Sequence, residues 1–137
     1  MEVLYTTTGT SSGDGRNGET ALADGSLDFS MALPNELGGS GSGANPEQLF
    51  ALGYAACFHS ALKLVAGNRG ANVDGSTITA TVSLGREGEA FGLEVELRGA
   101  VPGLEDGEVR ELLEAADQVC PYSRAVRGNV PVKLTVG

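Results

Sequence analysis

Apolar side chains recur at every second position in four stretches of this chain, the period of a strand with one covered face. Leu27, Phe29, Met31 and Leu33 form the first run, and Ile78, Ala80, Val82 and Leu84 the second. Phe91, Leu93, Val95 and Leu97 form the third, and Val130, Val132, Leu134 and Val136 the last. The β-formers from Val3 to Thr10 add a strand at the start, and the turn dipeptides Asn17-Gly18 and Asp24-Gly25 fold the first third into short antiparallel strands. Gly85 to Gly88 turns the second run back onto the third as a hairpin.

Two segments follow a helical period instead. Asn45 is a good N-cap, Pro46 fits the first helical position and Gln48 completes a capping box, so a helix starts there and runs to Gly67 or Gly70. From Leu49 to Val65 it is apolar nearly all round, interrupted by His59, Ser60 and Lys63, which is the pattern of a helix buried on most sides. One small sheet can hardly cover it, so a second copy of the chain is expected to supply part of the cover, as a homodimer. Asp106 can cap a second helix whose face carries Val109, Leu112, Leu113, Ala116, Val119 and Cys120. Pro121 disfavours helical geometry at Cys120 and breaks the chain before the last strand. The order of strands, helix, hairpin, helix and strand predicts an α+β fold. The stretch GGSGSGAN, residues 38 to 45, resembles a linker, but too little chain follows for a second domain. A tight turn or close backbone packing at the helix entrance is the better reading.

Composition narrows the setting. At 137 residues the chain suits one domain, 1–137, and its 41% hydrophobic and 20% charged residues mark a globular chain. A formal charge of -9 repels phosphate backbones and anionic lipid, so neither nucleic acid nor a membrane is expected as a partner. The start MEVLYTTTGT lacks a basic region and an apolar core, and no run is taken to reach the length of a membrane span, so a cytoplasmic location is expected. One histidine, two cysteines and no CxxC pair leave no four-ligand zinc site, and no bound cofactor is expected.

In a reducing compartment two cysteines imply redox chemistry or plain packing. Cys57 lies mid-helix in GYAACFHSALK beside Gly53, Tyr54, Ala61 and Leu64, where it is either a small buried hydrophobe or a reactive thiol. Arg16, in GDGRNG at a hairpin tip, is either solvated or close enough to hold a thiolate. Gly13, Gly15 and Gly18 match GxGxxG, but no helix opens there and no βαβ unit surrounds them, so a dinucleotide site is discarded. Glu47, in the first helical turn, either answers the helix dipole or locks the Arg16 guanidinium so that its free nitrogens face sulfur and peroxide. Glu47 lies about 15 Å along the axis and about 80° round the helix from Cys57. If both serve one site, the helix breaks or Glu47 comes from the other chain across a two-fold axis, and the second agrees with the dimer. Cys120 beside Pro121 suits a mobile thiol that condenses with a sulfenic acid, although 63 residues of separation say nothing about distance in space. Tyr54 and Tyr122 are donors or packing residues, and His59 points to another face of the helix from Cys57 and reads as structural.

The segments NPEQLFALGYAACFHSALK (45 to 63) and VCPYSRAVRGN (119 to 129), the GDGRNG turn and the ELGGSGSGAN approach resemble the organic hydroperoxide resistance family over nearly the whole chain. The resemblance implies an intertwined α+β homodimer of the OsmC/Ohr kind, with antiparallel or mixed sheets around a long central helix and two sites at the interface. It puts Cys57 in the place of the peroxidatic thiol, Cys120 in that of the resolving thiol, and Arg16 and Glu47 in those of the activating pair. It implies reduction of organic hydroperoxides, fatty acid ones included, and re-reduction by an external dithiol, the dihydrolipoyl group of a lipoylated protein. An apolar pocket, with Phe58 and Met31 as candidate lining, would explain a preference over hydrogen peroxide. The osmotically induced branch of the same superfamily shares the cysteines and the reaction, but the VCPYS segment favours the hydroperoxide branch. A non-catalytic dimeric carrier of an apolar ligand, or a redox switch without turnover, are the readings from other classes.

Overall fold

Strand and helix segments settle into two three-stranded sheets and three α-helices in this computed structural model, which describes residues 1–137. The chain gathers into two compact units, Met1–Leu49 and Phe50–Gly137.

In the N-terminal unit, β1 (Gly9–Ser12), β2 (Glu19–Leu22) and β3 (Asp28–Ser30) pair antiparallel in the order β1-β2-β3. The expected strand from Val3 is shorter than its β-formers suggest: residues before Gly9 have no ladder partner, and Val3, Leu4 and Tyr5 stand exposed. The tip between β1 and β2 is a 3-10 turn, Gly15–Asn17. Gly18 closes it, and only glycine fits, because a Cβ there would sit 2.2 Å from the Ser12 carbonyl oxygen. The Asn17 side chain fixes the turn by accepting the Leu33 N–H at 3.1 Å. Of the alternating run from Leu27, Met31 is buried while Leu27 and Phe29 remain exposed.

Helix α1, Pro46–Arg69, begins at a reciprocal capping box: the Gln48 N–H donates to Asn45 Oδ1 at 2.8 Å and the Asn45 N–H to Gln48 Oε1 at 3.0 Å. It ends where Gly70 adopts φ +68°. The helix is 24 residues long and, by length and composition alone, could cross a membrane, which corrects the expectation that no run reaches that length. His59, Ser60 and Lys63 interrupt the run without lowering its average enough to matter. Tyr54, Phe58, Ala61, Leu62, Val65 and Ala66 form its buried side, whereas Leu52 and Leu64 are 69% and 59% exposed.

In the C-terminal unit, β4 (Thr77–Glu87) and β5 (Ala90–Ala100) form a long antiparallel hairpin. Its two-residue loop is Gly88-Glu89, so the strands run further than the expected turn at Gly85 to Gly88. Helix α2, Asp106–Val119, buries Val109, Leu112, Leu113 and Ala116. Its N-cap is Glu105 rather than Asp106, and no side-chain capping bond forms; the acids Asp106 and Glu108 sit in the first turn, where the helix dipole favours them. Past Cys120 the chain turns directly into a further helix, α3 (Pro121–Val126), which the alternation-based reading missed because six residues carry no period. Strand β6, Val132–Val136, then pairs parallel with β5, giving the order β4-β5-β6.

Candidate active site

Each unit holds one of the two side-chain pairs expected from the sequence. In the N-terminal unit the tip of the β1–β2 connection carries Arg16, and the first turn of α1 carries Glu47. Arg16 Nη1 donates to Glu47 Oε2 and Nη2 to Oε1, both at 2.8 Å, a two-pronged match of guanidinium to carboxylate. The Glu47 side chain is 17% exposed and that of Arg16 40%. One edge of the guanidinium is therefore fixed while the rest stays accessible. The Arg16 hydrogen bonds hold the Glu47 carboxyl below the usual carboxylate range, against burial, which pushes it up; Arg16 in turn is held even more firmly protonated.

In the C-terminal unit, Cys57 on α1 faces Cys120 at the α2–α3 junction. Their sulfurs lie 3.5 Å apart, both thiols free, with Cys57 part-exposed and Cys120 fully buried. Closing a disulfide from there needs the sulfurs to approach by about 1.5 Å, toward the ~2.05 Å of an S–S bond. The backbone of Cys120 is bonded on both sides of the break that Pro121 makes. Its N–H ends α2 on the Ala116 carbonyl at 2.9 Å, and its carbonyl accepts the Arg124 N–H at 3.0 Å to start α3. Proline breaks the helix at φ -64° and ψ 122° without freeing the backbone, because each side of the break is itself a helix end.

Burial pushes the Cys57 thiol up; the nearby Tyr122 backbone N–H pulls the other way, and the Cys120 thiol adds to the rise. That N–H was not foreseen. Pro121 occupies the first position of α3 and lacks an N–H, so Tyr122 carries the first amide of that helix with no partner inside it. The CPY order is the signal that could have found it.

Tyr54 Oη and Ser123 Oγ share a buried hydrogen bond of 2.6 Å, and burial keeps the Tyr54 phenol protonated above its ordinary range. The rings of Phe50, Tyr54 and Tyr122 lie with centroids 5.7 to 6.0 Å apart. Tyr122 rests on α1 where Gly53 leaves room: a Cβ at Gly53 would approach the Tyr122 hydroxyl to 2.8 Å. His59 Nε2 lies 2.9 Å from Ser76 Oγ, a link between α1 and the turn before β4. No group of three His, Cys, Asp or Glu side chains stands in position to hold a metal ion.

Comparison with known proteins places these residues in a wider set. The pattern of the family described as OsmC-like protein matches residues 39–135. The organic hydroperoxide resistance protein of Xanthomonas axonopodis pv. citri (strain 306) is 48% identical over 98% of this chain and 96% of its own. The organic hydroperoxide resistance protein OhrB of Bacillus subtilis (strain 168) is 43% identical over 96% of each. The crystal structure of an organic hydroperoxide resistance protein from Legionella pneumophila superposes with a TM-score of 0.93, covering 99% of both chains at 46% identity.

Proposed function

Since the chain belongs to the OsmC-like protein family and its relatives are organic hydroperoxide resistance proteins, we propose that it is a thiol peroxidase working through Cys57 and Cys120. At the coarser level the chain acts in organic hydroperoxide resistance, with a peroxidase-type detoxifying activity. The observation that carries the finer reading is the pair of free sulfurs 3.5 Å apart, one reachable from outside and one buried behind it.

The Cys57 thiolate attacks the terminal oxygen of the hydroperoxide. The O–O bond breaks, Cys57 becomes a sulfenic acid, and the departing alkoxide takes a proton to become the alcohol. The Cys120 thiol then condenses with the sulfenic acid, forming the disulfide and releasing water. An external dithiol, for which the dihydrolipoyl group of a lipoylated protein is our candidate, reopens the disulfide by two thiol exchanges and becomes a disulfide itself. An apolar tail on the substrate gains roughly 0.8 kcal/mol per buried methylene, a gain that hydrogen peroxide cannot obtain.

Burial pushes the Cys57 thiol up, and a cation beside the sulfur would favour the thiolate against it. Glu47 and Cys57 sit ten positions apart on an unbroken helix, which supports the reading that the cation comes from a second copy. We assign the role to Arg16 of a second copy, held by its own Glu47, in a two-fold homodimer whose cover for α1 includes the exposed Leu52 and Leu64. The guanidinium then stabilises both the thiolate and the leaving alkoxide. The cytoplasm, where dithiol reductants are maintained, is the setting this cycle suits.

The deciding experiment is a single turnover of the reduced protein with cumene hydroperoxide, counting free thiols. Loss of two thiols in the parent, none in Cys57→Ser and a trappable sulfenic acid in Cys120→Ser are the expected results. Thiols that stay unreacted in the parent would leave a carrier of apolar ligands as the reading to pursue.

A further inference from the structure

Two contacts run side by side from α1 to the segment that follows α2. Cys57 meets Cys120 at 3.5 Å, and Tyr54 meets Ser123 at 2.6 Å. Three residues separate the two contacts on each element, so the hydroxyl pair sits one helical turn from the sulfur pair on the same side of α1. Tyr54 is 0% and Ser123 2% exposed, so water does not replace either partner when the other is removed. The Tyr122 ring lies against Gly53, at the one place on this turn of α1 with no side chain in the way.

The backbone of Cys120 belongs to both α2, through its N–H, and α3, through its carbonyl. Where α3 sits on α1 therefore decides where the Cys120 sulfur sits relative to Cys57. When Cys57 becomes a sulfenic acid it gains an oxygen beside Cys120, and the contact must hold while the sulfurs close. In the closing step Cys120 sulfur attacks Cys57 sulfur: the S–S bond forms, the S–O bond breaks, and the leaving hydroxide takes the Cys120 proton as water. The competing step is a second hydroperoxide, which oxidises the sulfenic acid to sulfinic acid and is itself reduced to its alcohol.

We infer that the Tyr54–Ser123 hydrogen bond is a clamp that positions Cys120 against the Cys57 sulfenic acid and so sets disulfide closure ahead of over-oxidation; this rests on the thiol peroxidase reading above. The Tyr54 and Ser123 hydroxyls bond each other and neither sulfur, so they act through α3 as positioning residues.

The test exposes the reduced parent, Tyr54→Phe, Ser123→Ala and Ser123→Thr to a series of cumene hydroperoxide concentrations. Intact-protein mass spectrometry then reads the ratio of Cys57 sulfinic acid to disulfide. With the hydroxyl gone from either side, half-maximal over-oxidation should come at a peroxide concentration lower by roughly tenfold, the scale of one buried hydrogen bond. Ser123→Thr keeps a hydroxyl and should stay near the parent. A purely structural bond would lower the melting temperature of Tyr54→Phe and leave the ratio where it was, which overturns the clamp. Should Ser123→Ala fail to fold, Tyr54→Phe carries the test, since it removes one oxygen and leaves the ring in place. A parent that forms neither disulfide nor sulfinic acid overturns the peroxidase reading and the clamp together. A parent that closes its disulfide, with Tyr54→Phe partitioning alike, overturns the clamp alone.

Discussion

Leu52→Ala tests whether α1 needs a second copy. Leu52 is 69% exposed on a largely apolar helix whose buried side, from Tyr54 to Ala66, does not include it. Complete burial of a leucine is worth about 1.5–3 kcal/mol, so roughly two thirds of that, about 1–2 kcal/mol, is still available at this position. Truncation to alanine forfeits most of it. A two-fold axis brings the same residue in twice, so the loss per dimer is about 2–3 kcal/mol, a weakening of self-association by roughly 30- to 140-fold. The folded copy itself should not suffer, because alanine is the better helix former and the leucine packs little inside the chain. Sedimentation over a concentration series reads the association, and single turnover with cumene hydroperoxide at the same concentrations reads the chemistry. Both curves should move together to higher protein concentration in Leu52→Ala, with the melting temperature at high concentration nearly unchanged. Peroxide turnover by a parent that sediments as a monomer would refute the reasoning, as would a Leu52→Ala protein whose association does not change.

Other consequences follow from single contacts. The unaided Cys57 thiol is raised, so it is protonated at neutral pH and its alkylation rate climbs only as pH rises through that high value. With Arg16 in place the parent's midpoint should lie below the ordinary thiol range, and in Arg16→Met above it; superimposed pH profiles for iodoacetamide would remove Arg16 from the site. Glu47 is lowered, so its ion pair adds stability above the ordinary carboxyl value of 4.5 and loses it as pH falls through the lower folded value. Acid melting curves should show that loss in the parent and not in Glu47→Gln. Oxidation closes a loop between residues 63 apart, worth about 4 kcal/mol on chain entropy, and calorimetry should find the disulfide form melting higher by roughly 10 °C. Gly53→Ala trades a gain of about 1 kcal/mol in helix propensity against displacement of the Tyr122 ring, so near-ultraviolet circular dichroism should change while stability moves by less than ~1 kcal/mol.

What could be read from residues alone was whatever short-range rules determine. The Asn45-Pro46-Gln48 start of α1 is a capping box because each partner lies within one turn of the other, and the structure forms both of its bonds. Alternation located β4, β5 and β6, and the i, i+3, i+4 face located α2. The long-range pairings came from the family resemblance and not from any period, and the structure brings both pairs together. The Arg16–Glu47 pair spans 31 positions and the sulfur pair 63, and no periodicity encodes either distance. The parallel pairing of β6 with β5 was equally hidden, since alternation looks alike in parallel and antiparallel edges. Pro121 was read correctly as a break at Cys120, but not as the first residue of α3, because the same fixed φ that ends one helix begins another. That one omission concealed both the Tyr122 N–H at Cys57 and the Ser123 partner of Tyr54.

The division of the site has a chemical consequence under the proposed mechanism. A thiolate is reactive toward oxidants of every kind, and its lifetime matters whenever its partner thiol is not in place. Here the resolving sulfur is already 3.5 Å from Cys57 before any cation is counted, while burial and the Cys120 thiol keep the Cys57 proton on. The guanidinium is likewise pre-set by its own carboxylate, two bonds at 2.8 Å, and arrives without having to search rotamers. In the homodimer proposed above, the last event in building the site would be the meeting of copies, which would bring a fixed cation to a thiol that already has Cys120 beside it. The order matters: a chain that ionised Cys57 before Cys120 was seated would be consumed by its own substrate. Seating Cys120 through α2, α3 and the Tyr54–Ser123 bond, all within the C-terminal unit, makes the safe order a property of the fold of each copy.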